Sequence, residues 1–337
     1  MTAPTETLTL SEATDLLHRA FAASGAPEPV ALSVARALVA AEAEGQVGHG
    51  FSRLTDYVAQ MQAGKVRADA TPELTRTGPA ALHVDAGFGF AYPAMDLGIE
   101  AGLGAAQEYG TASVAISRSH HCGALSVQVD RIARAGMVGL MVANTPKAMA
   151  PWGAKTPLFG TNPIAFSAPR PDGPPLVIDL SLSNVARGKV MNAKKTGQPI
   201  PEGWALDRDG NPTTDPEAAL AGSMVPIGGA KGTALALMVE VLAAVLTGAQ
   251  FSSEMSSFLS AEGPPPGAGQ FLLIMRPGDP AAFAARIETL LSQIAAMDGA
   301  RLPGQRRLAA LAKSQAEGLT IPRAYTDAAR AMAVAAS

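Results

Sequence analysis

The sequence predicts a mixed α/β (α+β) body with a helical lobe built from the two chain ends. Three observations carry this. Short apolar runs in the middle of the chain alternate with helix-length stretches. The first part of the chain and residues 298–337 read as Ala-rich helix. The composition, 47% hydrophobic but only 16% charged and 5% aromatic, supplies a sizeable core made of Ala, Val, Leu and Met rather than rings. At roughly 100–200 residues per domain, 337 residues suit two or three domains or one large two-layer unit.

The elements follow in order. Ser11 is expected to cap a first helix with Leu16, Leu17, Ala20 and Phe21 on one side, ending at Gly25. A second starts near Pro29, with Val30, Val34 and Leu38 on one face, and runs into the polar stretch Glu44 to Gly50. A third carries Leu54, Tyr57, Val58 and Met61 inward and stops at Gly64. Leu82 and Val84 mark a strand, residues 93–109 a helix, Ser113 to Ser117 a strand and residues 123–135 a helix. Gly139 to Ala143, Pro163 to Ala168, Leu176 to Leu180 and Phe271 to Met275 are further apolar strands. Residues 190–228, with Pro199, Pro201, Asp209-Gly210 and Pro212, read as a long irregular excursion, and Glu262 to Gly267 as a rigid loop. Gly232 to Ala249 is the most apolar segment. With Lys231 at its start and Glu240 inside, it reads as a buried helix, not a membrane span. The domain division expected is 1–75 for an N-terminal helical lobe, 76–295 for the sheet domain, and 296–337 for C-terminal helices returning to the lobe.

Several function classes recede. The net charge is −3 and no basic patch stands out, so a nucleic-acid partner is not expected. One cysteine, Cys122, rules out an internal disulfide framework or a cysteine-cluster metal site. The opening residues lack a basic region followed by an apolar stretch, so no secretory signal and a cytoplasmic location are expected.

The chemistry-bearing residues lie elsewhere. Gly102-Leu103-Gly104 resembles half of a dinucleotide glycine motif, but it sits within a helical stretch, without a preceding strand or third glycine; helix packing explains it better. Of five histidines, His18 and His83 read as surface or strand-face residues. His49 is flanked by Gly48 and Gly50, with Arg53 four residues on, which sets a proton-transfer group beside a carboxylate-binding fork. His120-His121-Cys122-Gly123 follows a strand and opens a helix; adjacent imidazoles diverge and no carboxylate lies at ligand spacing, so no metal is expected. Phe159 to Pro163 enters a strand. Gly228 to Gly232, with Lys231, enters the apolar helix and suits a phosphate or carboxylate. Arg301 to Arg307 holds three guanidiniums, read either as a solvated basic face or as a phosphate clamp.

Taken together, G-H-G-F-S-R-L-x-x-Y, S-H-H-C-G-A, A-P-W-G, F-G-T-N-P, I-D-L-S-L-S-N-V-A-R-G-K, P-E-G-W-A-L-D, G-G-A-K-G and R-L-P-G-Q-R-R, in that order from about residue 8 to about 310, resemble the malate/L-lactate dehydrogenase family. That non-Rossmann group also holds ureidoglycolate dehydrogenases, (R)-3-sulfolactate dehydrogenases and Δ1-piperideine-2-carboxylate reductases. The resemblance implies a largely antiparallel, NAD(P)-binding sheet domain, a helical lobe, and a homodimer with its site in the cleft. By the same resemblance His49 matches the proton donor and Arg53 a substrate-carboxylate contact, with Thr161, Arg187 and Gly188 as further substrate contacts. His121, Cys122, Gly123, Ala124 and Leu125 match a cofactor turn, in which His121 is the alternative acid/base. Asp179, Leu180 and Ser181 match a cofactor segment, and Lys231, Arg301, Gly304, Arg306 and Arg307 match cofactor-phosphate contacts. The arginines favour NADP, with NAD as the alternative.

Two departures matter. Gly48 stands where the family usually has Ser, and Ala186-Arg187-Gly188-Lys189 lacks the His and acidic residue of the piperideine reductases. The expected activity is hydride exchange between nicotinamide and a small 2-hydroxy/2-oxo acid, with a malate- or 3-sulfolactate-like dianion suited to the extra cations. A cyclic ketimine reductase and a non-catalytic NAD(P)-binding paralogue are the alternatives. Of the two histidines, His49 is expected to move the proton, because Arg53 shares its local element.

Overall fold

The computed structural model describes residues 4–334; the outermost residues of both expected terminal segments, 1–3 and 335–337, lie outside it. The chain opens with a strand, β1 (Thr5–Leu8), and then α1 (Leu10–Ala23). The cap of α1 is Thr9, not Ser11. Its hydroxyl accepts from the Glu12 amide, and the Glu12 carboxylate in turn accepts from the Thr9 amide, a reciprocal box that Ser11 cannot make from inside the helix. α2 (Glu28–Ala43), two short 3-10 turns (Val47–His49 and Phe51–Arg53) and α3 (Leu54–Gln62) follow.

A seven-stranded sheet forms the centre, in the order β2-β3-β4-β11-β5-β6-β7. Its members are β2 (Glu73–Gly78), β3 (Ala81–Asp85), β4 (Thr111–Ser119), β5 (Val138–Ala143), β6 (Ile164–Ala168), β7 (Leu176–Leu180) and β11 (Ala268–Met275). In this sheet only β3 and β4 run parallel; every other neighbouring pair is antiparallel, which excludes a Rossmann unit, whose sheet is mostly parallel. α4 (Ala91–Tyr109) and α5 (Leu125–Arg134) pack against it. Gly102 lies inside α4, where an added Cβ would sit 2.7 Å from Ile274 and 2.8 Å from Val114, so it is a helix-on-sheet contact and not a nucleotide turn.

The chain ends meet. α9 (Pro280–Ala295) and α10 (Gln305–Glu317) precede β12 (Leu319–Pro322), which pairs antiparallel with β1, and α11 (Arg323–Val334) packs on α1. The strand pair escaped the sequence reading because each strand is four residues long and finds its partner more than 300 residues away. β2 was missed because its side chains are exposed and carry no apolar alternation. One core joins residues of the terminal helices to one face of the sheet, and a second forms around Met149, Val185, Val190 and Val239.

Residues 190–228 are more ordered than expected. α6 (Arg187–Thr196) and α7 (Pro216–Ala221) frame a small sheet of β8 (Ala205–Leu206), β9 (Pro212–Thr213) and β10 (Ser223–Met224). α6 buries only Val190, so it has no apolar stripe to read. The apolar segment forms α8 (Ala230–Glu240) running into a π turn (Val241–Val245). It is buried on one face only, through Ala236, Val239, Ala243 and Ala244; Leu237, Met238, Val241, Val245 and Leu246 are exposed. No helix among the described residues is long and apolar enough to cross a membrane.

Candidate active site

After α2, His49 and Arg53 end two successive 3-10 turns joined at Gly50. Gly50 is required there, because a Cβ would fall 1.9 Å from the Glu42 carboxylate, which accepts the Phe51 amide at 2.9 Å. The close approach at this glycine is therefore to Glu42. Gly48 has nothing within 4 Å of an added Cβ, so a serine would fit. Its carbonyl instead accepts Arg53 Nε at 2.6 Å, which aims the guanidinium back across the turn.

β4 delivers the other half. The His49 and His121 rings stack at 5.2 Å and 21°. His121 Nδ1 lies 2.6 Å from the Tyr57 hydroxyl of α3, which lies 3.1 Å from the Tyr92 hydroxyl of α4. Gly123, at φ 67°, lets the turn pass Tyr92, whose hydroxyl would be 2.7 Å from a Cβ. His121 thus has an oriented ring with Nδ1 engaged. His49 Nδ1 is buried and has no partner among the described residues. His120 points elsewhere, to Gln60 Oε1 at 2.7 Å.

Burial, and secondarily the Arg53 charge, pull His49 down to about 4; burial, His49 and Arg53 pull His121 well below the ordinary imidazole range. Both are neutral at pH 7, the form that accepts a proton. Burial pushes the Tyr57 phenol up, so it stays protonated; its oxygen can accept Nδ1–H of His121 while its own proton goes to Tyr92, the arrangement that leaves Nε2 of neutral His121 free to take a proton.

Glu42 carries a pH signature of its own. Burial pushes its carboxyl from 4.5 to about 7, against the Phe51 amide. A raised carboxyl favours the folded state fully below 4.5, and that advantage is lost as pH rises through about 7. Glu42→Gln keeps an acceptor without the charge, so its stability relative to the parent is expected to grow between pH 5 and 8, by about 3 kcal/mol at most. Urea unfolding at both pH values checks this; an equal gap at the two would refute it.

A second group lies along the F-G-T-N-P segment. An added Cβ at Gly160 would meet the Thr145 carbonyl at 2.2 Å. Thr161 donates its amide to Thr145 Oγ1 at 3.0 Å. Asn162, buried at φ 38°, donates to Glu240 Oε2 at 2.8 Å, and Glu240 also receives the Ser252 amide at 2.6 Å. Arg187 opens α6, half buried, and donates to the Lys147 carbonyl at 3.2 Å; Gly188 is beside it, exposed.

The expected cofactor residues divide. Asp179 caps α5, accepting the Ser126 amide at 2.8 Å, and burial pushes its carboxyl up to about 6. Cys122 is a free, buried thiol pushed up to about 12 by burial. Ala124 is the cap residue of α5 and Leu125 its first residue; Leu180 is exposed, and Ser181 bonds Ser183. Lys231 is exposed in the first turn of α8, and Arg301 and Arg306 are exposed around the start of α10. Both helices begin without a side-chain cap, at Gly229 and Gly304. Free amide ends beside cations fit phosphate groups. Arg307 differs from its neighbours. Its side chain is 9% exposed and gives Nη1 to Glu44 at 2.6 Å. Sequence reasoning missed Glu44, Gln60, Lys65 and Phe258. Tyr57 stood in a motif, but only as an inward residue. Among the described residues no three His, Cys, Asp or Glu side chains are placed to hold a metal ion.

The family model described as malate/L-lactate dehydrogenase matches residues 8–328. The chain is 51% identical to a (2R)-3-sulfolactate dehydrogenase (NADP(+)) of Chromohalobacter salexigens, over 97% of this chain and 98% of that one. It is 42% identical to a Δ1-pyrroline-2-carboxylate/Δ1-piperideine-2-carboxylate reductase of Pseudomonas aeruginosa, covering 94% and 96%. The crystal structure of Δ1-piperideine-2-carboxylate reductase from Pseudomonas syringae pv. tomato superposes with a TM-score of 0.92 at 39% identity, covering 97% of this chain and 99% of that one.

Proposed function

This chain belongs to the malate/L-lactate dehydrogenase family of oxidoreductases, and we propose that it interconverts a small dianionic 2-oxo acid, of the 3-sulfopyruvate or oxaloacetate type, with its 2-hydroxy acid using NADP. The carrying observation is the stacked His49–His121 pair with Arg53 on the turn that follows His49. Arg53 grips the C1 carboxylate and sets the approach to C2. Nicotinamide, when bound, supplies or accepts the hydride at C2. His121, oriented by Tyr57 as a base is oriented in a catalytic triad, moves the proton at the C2 oxygen through Nε2. Neutral His121 takes the hydroxyl proton during oxidation. In reduction the bound anion offsets the Arg53 charge, which lets the imidazolium form and protonate the developing alkoxide. Thr161 and Arg187, with Gly188 beside it, serve the far end of the substrate. His121 to Leu125 and Asp179 to Ser181 line the cofactor, and Lys231, Arg301, Gly304 and Arg306 meet its phosphates. In this reading residues 76–295 supply the cofactor face, and 1–75 with 296–337 the helical lobe.

The test is a panel of 3-sulfopyruvate, oxaloacetate, pyruvate and piperideine-2-carboxylate, followed at 340 nm with NADPH and NADH. Turnover is expected with a dianionic oxoacid and NADPH. The relatives named as cyclic-imine reductases make the imine the informative competitor. Turnover of the imine alone would replace this assignment, and coenzyme binding without any turnover would mark a non-catalytic relative.

The working form is a homodimer in the cytoplasm. Leu237, Val241 and Val245 recur every four residues along α8 and its π turn, all exposed, with Met238 and Leu246 beside them. Apolar strips of this kind are covered in assemblies, and a second copy is the occupant that the family resemblance implies. Leu237→Asp with Val245→Asp is expected to convert a dimer to a monomer in sedimentation velocity; a parent chain that already sediments as a monomer would refute the assembly.

A further inference from the structure

Between α8 with its π turn and β11, the chain forms no helix or strand from 249 to 267, yet the middle of this loop is fastened to the histidine site. The Phe258 ring lies 5.1 Å from His121 and 5.4 Å from His120, and is 8% exposed. Its carbonyl accepts Gln60 Nε2 at 2.8 Å, while Gln60 Oε1 is the partner of His120. Just past α3, the Lys65 ammonium donates to the carbonyls of Ser257, Ser260 and Glu262 at 2.6, 2.8 and 2.7 Å. The Lys65 residue is 1% exposed. A lysine is rarely enclosed like this, because taking an ammonium out of water is costly unless every N–H finds an acceptor. Here all three do, and all three acceptors are loop main chain.

We propose that this loop is the water-excluding wall of the proton-transfer site, with Phe258 as the covering ring and Lys65 as the positioning residue that fixes it. The proposal rests on His121 as the proton carrier. The arrangement is economical in one physical sense. α3 and the turn after it hold the His121 ring through Tyr57, and hold the ring covering it through Gln60 and Lys65. The covered base and its cover are therefore placed by one rigid element. The groups facing His121 are His49 and Arg53 from the turns, Tyr57 from α3, His120 from its own strand end, and Phe258 from the loop. Only Phe258 is wholly apolar, so its removal admits water while leaving the charges in place. Water favours the imidazolium, and the His121 titration then moves up toward the ordinary range.

The experiment follows the histidine ring resonances of the full chain by NMR, each assigned by single substitution, in the parent, Phe258→Ala, Phe258→Leu and Lys65→Met. Phe258→Ala and Lys65→Met are expected to move the His121 titration upward, and Phe258→Leu to hold it near the parent. The acid limb of kcat/KM for hydroxyacid oxidation should move in the same direction. If the resonance moves and the rate limb does not, the wall stands and His121 is not the proton carrier. An unmoved resonance in Phe258→Ala overturns the wall. A shift in Phe258→Ala with none in Lys65→Met overturns the role of the lysine. Should Lys65→Met fail to fold, Gln60→Ala, which frees both the Phe258 carbonyl and His120, takes its place: an upward shift of the His121 titration is expected, and no shift overturns the fastening of the wall by α3.

Discussion

Replacing His121 with alanine is expected to lower kcat by about 10²–10⁴-fold, the usual cost of a lost general acid or base, with KM changing much less. The acid limb of the pH–rate profile for oxidation should vanish with it. The reasoning is geometric. A proton carrier needs one ring nitrogen held so that the other faces the substrate, and His121 has this through Tyr57, which is itself held by Tyr92. Tyr57→Phe removes only the hydroxyl and should reproduce part of the loss. His49 has no partner for Nδ1 among the described residues and is placed by stacking on His121 and by the turn that precedes Arg53. His49→Ala is therefore expected to act mainly on KM for the oxoacid. The sequence alone favoured the reverse assignment, because Arg53 lies four residues from His49 while the Tyr57–His121 bond joins residues 64 apart. If His49→Ala abolishes turnover and the pH limb while His121→Ala weakens only coenzyme binding, the sequence-based assignment holds and the geometric one fails.

The largest stability effect is expected at Arg307. It resembles a cofactor-phosphate residue by its place in the Arg301–Arg307 turn, but its side chain is 9% exposed and its Nη1 is bonded to Glu44, itself 7% exposed. Asp130 lies 3.7 Å from the same nitrogen. Glu44 is further held by the Ser126 hydroxyl at 2.6 Å, and Ser126 gives its amide to Asp179. One guanidinium thus stands between Glu44, just past α2, and Asp130 of α5, and ties α10 to them. Breaking a buried pair by deleting one partner leaves an uncompensated charge and costs about 3–5 kcal/mol. Arg307→Met is expected to lose that much in urea unfolding, whereas Arg306→Ala, on an exposed side chain, should lose little stability and instead narrow the preference for NADPH over NADH. If Arg307→Met keeps full stability and abolishes that preference, Arg307 is a cofactor ligand after all.

Much of the fold was legible because it is written in local terms. The stripes of α1, α2 and α3 and the apolar runs of β4, β5, β6, β7 and β11 repeat at the helix or strand period, and the glycines at 25, 64, 110 and 136 sit at left-handed turns that end or follow helices. Ordered motifs likewise carried the family and the two histidines. Elements whose partners are distant left no such trace. β1 and β12 are too short to show a pattern, and α6 is polar on nearly every side.

The sequence by itself determined the mixed α/β class, through periodicity and turn chemistry, and its ordered motifs carried the family resemblance that implies a non-Rossmann fold and the candidate site residues. Only the tertiary structure decided which of those residues touch one another, and the proposed division of roles rests on those contacts. Tyr57 singles out one of two stacked imidazoles, Glu44 withdraws one of three arginines from solvent, and a buried lysine fastens a loop over the site. Each decision is a contact between side chains far apart in the chain, where burial strengthens every charge and hydrogen bond and makes an unpaired one costly.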